Sequence, residues 1–370
     1  MKYIAICGTV GAGKTTLLNR MLKSPAMQDS VVIMNEFGEI GLDHLLVETV
    51  DEGMVLLSAG CLCCTVRGDL IATLEDLLRK RDNDRILPFK RVIIETTGLA
   101  DPAPILHAVL YHPYLSMRYA VEGVVTVIDA VNGSATLDAH REAVKQAAVA
   151  ERIVLAKTDL ASDQQVVTAL RERLHQLNPG ATILNADAPV EDIIAGGLFG
   201  LDGKIADVSE WLKTEAVEEA ERESHAHQHG HHHHGHHGHD HHHHDVNRHD
   251  ERIRAFCLTS DTPIRQGTLD MFLDLLRSSQ GAKLLRVKGL VALAEDPEHP
   301  VVIHGVQHVI HVPAVLPRWP SEDRRSRIVF IVDDLERETV EKLWNAFLGN
   351  PAIDQPDAMA LSDNPLSLRR

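Results

Sequence analysis

The stretch Gly8-Thr9-Val10-Gly11-Ala12-Gly13-Lys14-Thr15 constrains the fold of this chain more than any other. It matches the pattern G-x-x-x-x-G-K-[ST] in full, and its surroundings are equally specific. An apolar β-branched run, Tyr3–Cys7, leads into it, and a helical pattern over Thr16–Leu22 leads out. Glycines let backbone N–H groups close on a ligand with no Cβ in the way, and the helix that follows adds the positive end of its dipole. Such a loop cradles phosphates. On this reading Gly8, Gly11, Ala12, Gly13, Lys14, Thr15 and Thr16 hold the nucleotide. Lys14 reaches the β- and γ-phosphates, and the Thr15 hydroxyl completes a Mg²⁺ shell.

A loop of this kind needs a parallel sheet around it, and the sequence supplies one. Val31–Met34, Arg91–Ile94, Val124–Ile128 and Ile153–Leu155 are short apolar runs suited to buried parallel strands. Helical patterns lie between them; in Asp69–Arg81, Leu70, Ile71, Leu74, Leu77 and Leu78 share one face. Strands alternating with helices predict an α/β fold, a P-loop NTPase with a doubly wound, mostly parallel sheet, over residues 1–204. Residues 205–250 turn acidic and then histidine-rich, with fourteen histidines between positions 225 and 244, and predict a flexible linker. Residues 251–350 read as a smaller α+β domain: strand Ile253–Leu258, helix Leu269–Arg277, strands Leu284–Leu293, Val301–Val312 and Arg327–Val332, and helix Glu338–Phe347. Residues 351–370 read as a tail.

Composition narrows the partners. A formal charge of −16 argues against nucleic acid or an anionic membrane, which reward clustered Lys and Arg. No run approaches the ~18–20 apolar residues of a membrane span, and the start of the chain does not have the pattern of a signal peptide. Five cysteines, three of them at Cys61, Cys63 and Cys64, suggest a metal rather than a disulfide framework. A cytoplasmic location is expected.

Nucleotide chemistry also asks for an acid at the end of a second strand. Arg91–Ile94 is followed by Glu95, in the position where a GTPase commonly has Asp, and Gly98 lies three residues on, placed to sense a γ-phosphate through its N–H. Base selection falls to Ala156-Lys157-Thr158-Asp159 after the strand Ile153–Leu155. Asp159 is the acid that pairs with guanine and Lys157 packs on the base, which favours GTP over ATP. Ala156 takes the place of an Asn, which loosens the loop rather than reversing the preference.

Gly60-Cys61-Leu62-Cys63-Cys64 is a soft-metal ligand set, suited as thiolates to Zn²⁺ or a related ion, with a fourth position open to a carboxylate, a histidine or water. After the second strand, Glu36, Glu39 and Asp43 are placed to bind Mg²⁺, to position a water or to join the thiol site. The histidine tract, with His231, His232, His233 and His234 at its densest run, offers many weak sites for Zn²⁺, Co²⁺ or Ni²⁺.

Taken together, Gly8–Thr15, Asn35-Glu36-Phe37-Gly38-Glu39, Gly60–Cys64, Glu95–Gly98 and Lys157–Asp159 resemble the CobW-type P-loop GTPases, which handle metals. Arg286-Val287-Lys288-Gly289 extends the likeness to the C-terminal domain, so it spans nearly the whole chain. The resemblance implies GTP hydrolysis coupled to delivery of a metal ion, zinc foremost, to a client metalloprotein. It makes Cys61, Cys63 and Cys64 ligands near the switch regions, and a homodimer is compatible with it. Two alternatives stay open: nickel or cobalt insertion during metalloenzyme or cobalamin maturation, and a nucleotide-gated metal store with negligible turnover.

Overall fold

The structure, a computed structural model, describes residues 2–35, 47–49, 55–59, 66–96, 98, 100–161, 163–194, 252–307, 309–311 and 313–349. The N-terminal part alternates strands and helices: β1 Lys2–Gly8, α1 Lys14–Leu22, β2 Ser30–Asn35, β3 Val47–Thr49, β4 Val55–Ala59, α2 Val66–Asp82, β5 Arg91–Glu95, α3 Ala103–Tyr111, α4 Pro113–Arg118, β6 Ala120–Asp129, α5 Gly133–Ala139, α6 Arg141–Val149, β7 Arg152–Ala156, α7 Gln164–Leu177, β8 Thr182–Asn185 and α8 Val190–Ile194. The eight strands form one sheet in the order β3-β4-β2-β5-β1-β6-β7-β8. Every pairing is parallel except β3 on β4 at the edge.

The alternation of side chains along β1 shows why the sheet is covered on both faces. Tyr3, Ala5 and Cys7 enter one core, with Leu74 and Leu78 of α2 and Val109 of α3. Ile4 and Ile6 enter the opposite core, with Leu17, Leu18 and Met21 of α1. A strand buried on both sides must read as a continuous apolar run, which is how β1, β5 and β7 read in the sequence.

The C-terminal part comprises β9 Ile253–Ser260, α9 Gln266–Gln280, β10 Leu284–Val291, β11 Val301–Val306, β12 Val309–Ile310, β13 Ala314–Val315, β14 Ser326–Asp333 and α10 Arg337–Phe347. Its antiparallel sheet has the order β12-β11-β10-β14-β9, with β13 paired to β11. Leu269, Phe272 and Leu276 of α9 and Val340 and Trp344 of α10 cover one face. Each such buried side chain contributes about 1.5–3 kcal/mol. The expected doubly wound sheet and smaller α+β domain are therefore both present. One expected strand, Val301–Val312, is two: Gln307 adopts φ +54° and the chain reverses between β11 and β12. The apolar pattern runs through that turn, so periodicity alone did not mark it.

The other face of the C-terminal sheet packs on the first domain. Leu285, Val306 and Ile331 join the core that holds α3 and the outer side of β1. Polar contacts fix the seam. The Arg286 guanidinium donates to the Glu151 carboxylate and to the Val149 carbonyl at the end of α6, both ion-pair partners being 3 % exposed. Arg141 pairs with Asp333. No described helix is long and apolar enough to cross a membrane.

Candidate functional site

The C-terminal ends of β1, β2, β4, β5, β6 and β7 lie on one edge of the parallel sheet, the edge at which open α/β sheets bind ligands. The loop Gly8–Gly13 leaves β1 there. A Cβ on Gly8 would lie 2.3 Å from the Val127 carbonyl oxygen, so only glycine lets β1 pass β6 into the loop. Gly11 and Gly13 follow with φ +73° and +101°. Gly13 is the N-cap of α1, and no side chain caps that helix or places an acid in its first turn. The N-terminal amides and the positive end of the dipole are thus left for an anionic ligand.

Lys14 is buried, and its Nζ donates to the carbonyls of Gly8 and Thr9, each at 3.0 Å. Burial pulls its ammonium below the ordinary range, with Glu95 opposing. A phosphate at the loop relieves that cost by bringing the negative charge a desolvated cation lacks. Ala12 is buried among the α1 core, whereas Thr15 and Thr16 are exposed on the first turn. The Thr15 hydroxyl donates to Glu95 Oε1 at 2.8 Å, joining the start of α1 to the end of β5. A hydroxyl and a carboxylate oxygen side by side, next to a phosphate loop, are hard donors suited to Mg²⁺.

Gly98 is buried against the phosphate loop. A Cβ there would lie 2.2 Å from Val10 Cγ2 and 2.5 Å from the Val10 nitrogen. Gln146 of α6, 1 % exposed, donates through Nε2 to the carbonyls of Ala100 at 2.8 Å and Gly98 at 3.4 Å.

The loop after β7 meets the same edge. Lys157, at φ +59°, donates to the Gly11 carbonyl at 2.7 Å and to Asp129 Oδ2 at 2.8 Å. In this structure its ammonium ties the phosphate loop to the end of β6. Burial raises the Asp129 carboxyl, but Lys157 and the N–H groups of Val131 and Asn132 outweigh it and hold the acid below its ordinary range. Ala156 is buried 3.3 Å from where a Cβ on Gly13 would stand, and Asp159 is exposed two residues beyond Lys157. The structure therefore brings Lys14, Thr15, Glu95, Gly98 and Lys157 to one edge. Glu36, Glu39, Asp43, Cys61, Cys63, Cys64 and His231–His234 lie outside the described residues. Among the described residues no group of three His, Cys, Asp or Glu is placed to hold a metal.

Residues 2–185 match the family model described as "CobW/HypB/UreG, nucleotide-binding domain". The zinc chaperone YjiA of Escherichia coli (strain K12) is 30% identical over 335 residues, which cover 90% of this chain and 95% of that protein. The chain belongs to the CobW/HypB/UreG family. Residues 253–348 match the C-terminal domain described for the cobalamin synthesis protein CobW. The crystal structure of the Zn(II)-bound YjiA GTPase from E. coli aligns with a TM-score of 0.66 at 26% identity, covering 94% of this chain and 98% of that one. The zinc-regulated GTPase metalloprotein activator 1 of Schizosaccharomyces pombe (strain 972 / ATCC 24843) is 32% identical over 218 residues, 57% of this chain and 48% of that protein.

Two polar residues at this edge escaped the sequence reading: Asp129 and Gln146. Asp129 carried a usable signal, since an acid ends the apolar run Val124–Ile128 just as Glu95 ends Arg91–Ile94. Gln146 carried none, because it sits in a helix whose neighbours give no hint of what the amide meets.

Proposed function

We propose that this chain, a GTPase of the CobW type, is a metallochaperone that holds zinc through Cys61, Cys63 and Cys64 and passes it to a client metalloprotein under the control of GTP. The observation that carries the nucleotide half of the reading is the Thr15–Glu95 hydrogen bond, 2.8 Å long, at the mouth of a complete phosphate loop. Relatives named as zinc chaperones and a zinc-regulated GTPase support the choice of metal.

In this reading Gly8, Gly11, Ala12, Gly13 and Thr16 line the phosphates, Lys14 neutralises them, and Thr15 and Glu95 hold Mg²⁺. Held by Thr15 and Glu95, Mg²⁺ would supply charge withdrawal from the phosphate oxygens. Gly98 packs beside the phosphate loop, where its N–H would sense the γ-phosphate, and Lys157 and Asp159 would form the guanine side of the site, with Lys157 anchoring the loop to Asp129. The C-x-C-C segment falls between β4 and α2. Because β4 is parallel to β2, it ends on the nucleotide edge. In this reading the thiols lie near that edge, and GTP-dependent ordering of the loops around the nucleotide sets the geometry of their site. The histidine tract serves as a weak, exchangeable reserve of the same ion, and zinc is cargo rather than a resident cofactor.

Replacing Cys61, Cys63 and Cys64 together by Ser tests the assignment. Competition titration of the full chain should lose its tight zinc-binding component by at least about 100-fold, three thiolates being the ligands removed, while the weak histidine-borne component persists. Unchanged tight binding contradicts the assignment.

A further inference from the structure

The loop that follows β5 is gripped from two sides, and one grip belongs to the other domain. Within the first domain, Gln146 donates to the Gly98 and Ala100 carbonyls. From the second domain, Gln307 Nε2 donates to Asp101 Oδ2 at 2.7 Å, a side-chain pair 206 residues apart in sequence. Asp101 is not a loose surface acid. Its Oδ1 accepts the Ala103 N–H at 2.9 Å and so starts α3. Both carboxylate oxygens are engaged, one fixing the helix that leaves the loop and the other fixing the loop to the C-terminal sheet.

Gln307 is equally constrained. It forms the left-handed turn between β11 and β12, and its own N–H donates to the Leu285 carbonyl at 3.0 Å, which pins the turn to β10. The amide therefore projects from a rigid hairpin into the first domain. The hairpin is seated by apolar packing, Val306 and Leu285 lying in the core shared with α3. Asp101 is the third residue after Gly98, which packs against Val10 of the phosphate loop.

We propose that Gln307 is a positioning residue for GTP hydrolysis: through Asp101 the C-terminal domain holds the Gly98–Asp101 loop against the phosphate loop. GTP turnover is then conditional on the docking of the second domain, and by linkage any movement of the loop on hydrolysis is felt at the β11–β12 hairpin. The inference rests on GTP hydrolysis alone and is independent of the metal reading above. Because nothing in the pair touches the P-loop amides or the Lys157–Asp159 loop, it governs turnover and the preference for a γ-phosphate, and leaves GDP binding alone.

Steady-state GTP hydrolysis and GDP affinity of the full chain test this with four variants. Gln307→Ala should lower kcat about 3–30-fold, a part of what losing a hydrogen bond to a charged group implies, with GDP affinity within about twofold. Gln307→Asn keeps an amide and favours the left-handed turn better than Gln does, but is one methylene too short to reach, so it should fall as far as the alanine variant. Gln307→Glu sets two carboxylates face to face and should fall further. Adding Asp101→Asn to Gln307→Glu restores a donor opposite an acceptor, and should recover most of the lost turnover. The proposal is overturned if Gln307→Asn turns over like wild type, since the residue then serves only its turn. It is equally overturned if GDP affinity falls in step with kcat, or if the double variant is no better than Gln307→Glu. Wild-type turnover in the same assay separates these outcomes from an absence of GTPase activity.

Discussion

A methyl group on Gly98 would stand 2.2 Å from the Val10 side chain and 2.5 Å from its backbone nitrogen, closer than real Cβ atoms approach. The backbone of one has to move to accept it, which opens the gap between the loop after β5 and the phosphate loop. Gly98→Ala is therefore expected to lower kcat at least about tenfold while GDP affinity stays within about twofold, measured by steady-state phosphate release and by equilibrium titration. Wild-type turnover in that variant would remove Gly98 from the account. At this scale much of the site was legible. Lys14, Thr15 and Glu95 announce themselves because a glycine loop and a strand ending in an acid are local patterns. Asp129 follows the same local pattern as Glu95, an acid ending an apolar run, whereas Gln146 and the Asp101–Gln307 pair are not local, since their partners become visible only when distant segments pack. Ala156 was read as a missing Asn; the structure adds that it packs beside Gly13 and that Lys157 carries the tie to the phosphate loop.

Among the elements, the hairpin of β11 and β12 carries an acid-sensitive pair. His304 of β11 stacks on His311, just beyond β12, with ring centroids 4.4 Å apart. Glu151, Arg286 and Lys288 surround them, the His304 Nε2 lying 3.5 Å from Glu151 Oε1. Burial pushes His311 down to about 3, with Arg286 adding to it. Burial, then His311, Arg286 and Lys288, also pushes His304 well below its ordinary value. An unfolded histidine titrates near pH 6.5, so as pH falls from there toward 3 the unfolded chain binds protons that the folded chain refuses. Stability is therefore full above pH 6.5 and drains on acidification, by at most about 1.4 kcal/mol per pH unit for each histidine. Urea unfolding at pH 7.5 and pH 5 should show the loss, and His311→Phe, which keeps a ring for stacking, should flatten it. Equal pH dependence in both proteins would contradict this. The elements themselves were largely foreseeable where a strand is buried on both faces, as β1, β5 and β7 are. The three-residue β3 was not, being too short to give a period, nor was β8, whose own side chains are at most partly buried and whose run is mixed. The β11–β12 reversal was hidden for the opposite reason, being apolar on both sides of its turn.

Across the whole molecule the two sheets are joined by a shared core and by a buried ion pair, Arg286 to Glu151. Removing one partner of such a pair typically costs about 3–5 kcal/mol, because the other is left charged and out of water. Glu151 Oε2 also accepts the Val124 N–H of β6, so the pair ties the second domain to the sheet that carries the nucleotide edge. Gln307 and Asp101 make the second tie, nearer the chemistry. Residues 2–194 thus carry the nucleotide edge, and residues 252–349 form the sheet docked on them. The nucleotide motifs are legible in the sequence, but the docking of the second domain is not, because it depends on contacts between segments 135 and 206 residues apart. The central claim is that nucleotide state controls the grip on zinc. It is tested most directly by competition titration of zinc against the full chain, once with a non-hydrolysable GTP analogue and Mg²⁺ and once with GDP and Mg²⁺. The account predicts affinities that differ by about 5–150-fold, the range of a 1–3 kcal/mol coupling between adjacent sites. Equal zinc affinity in the two states would contradict it.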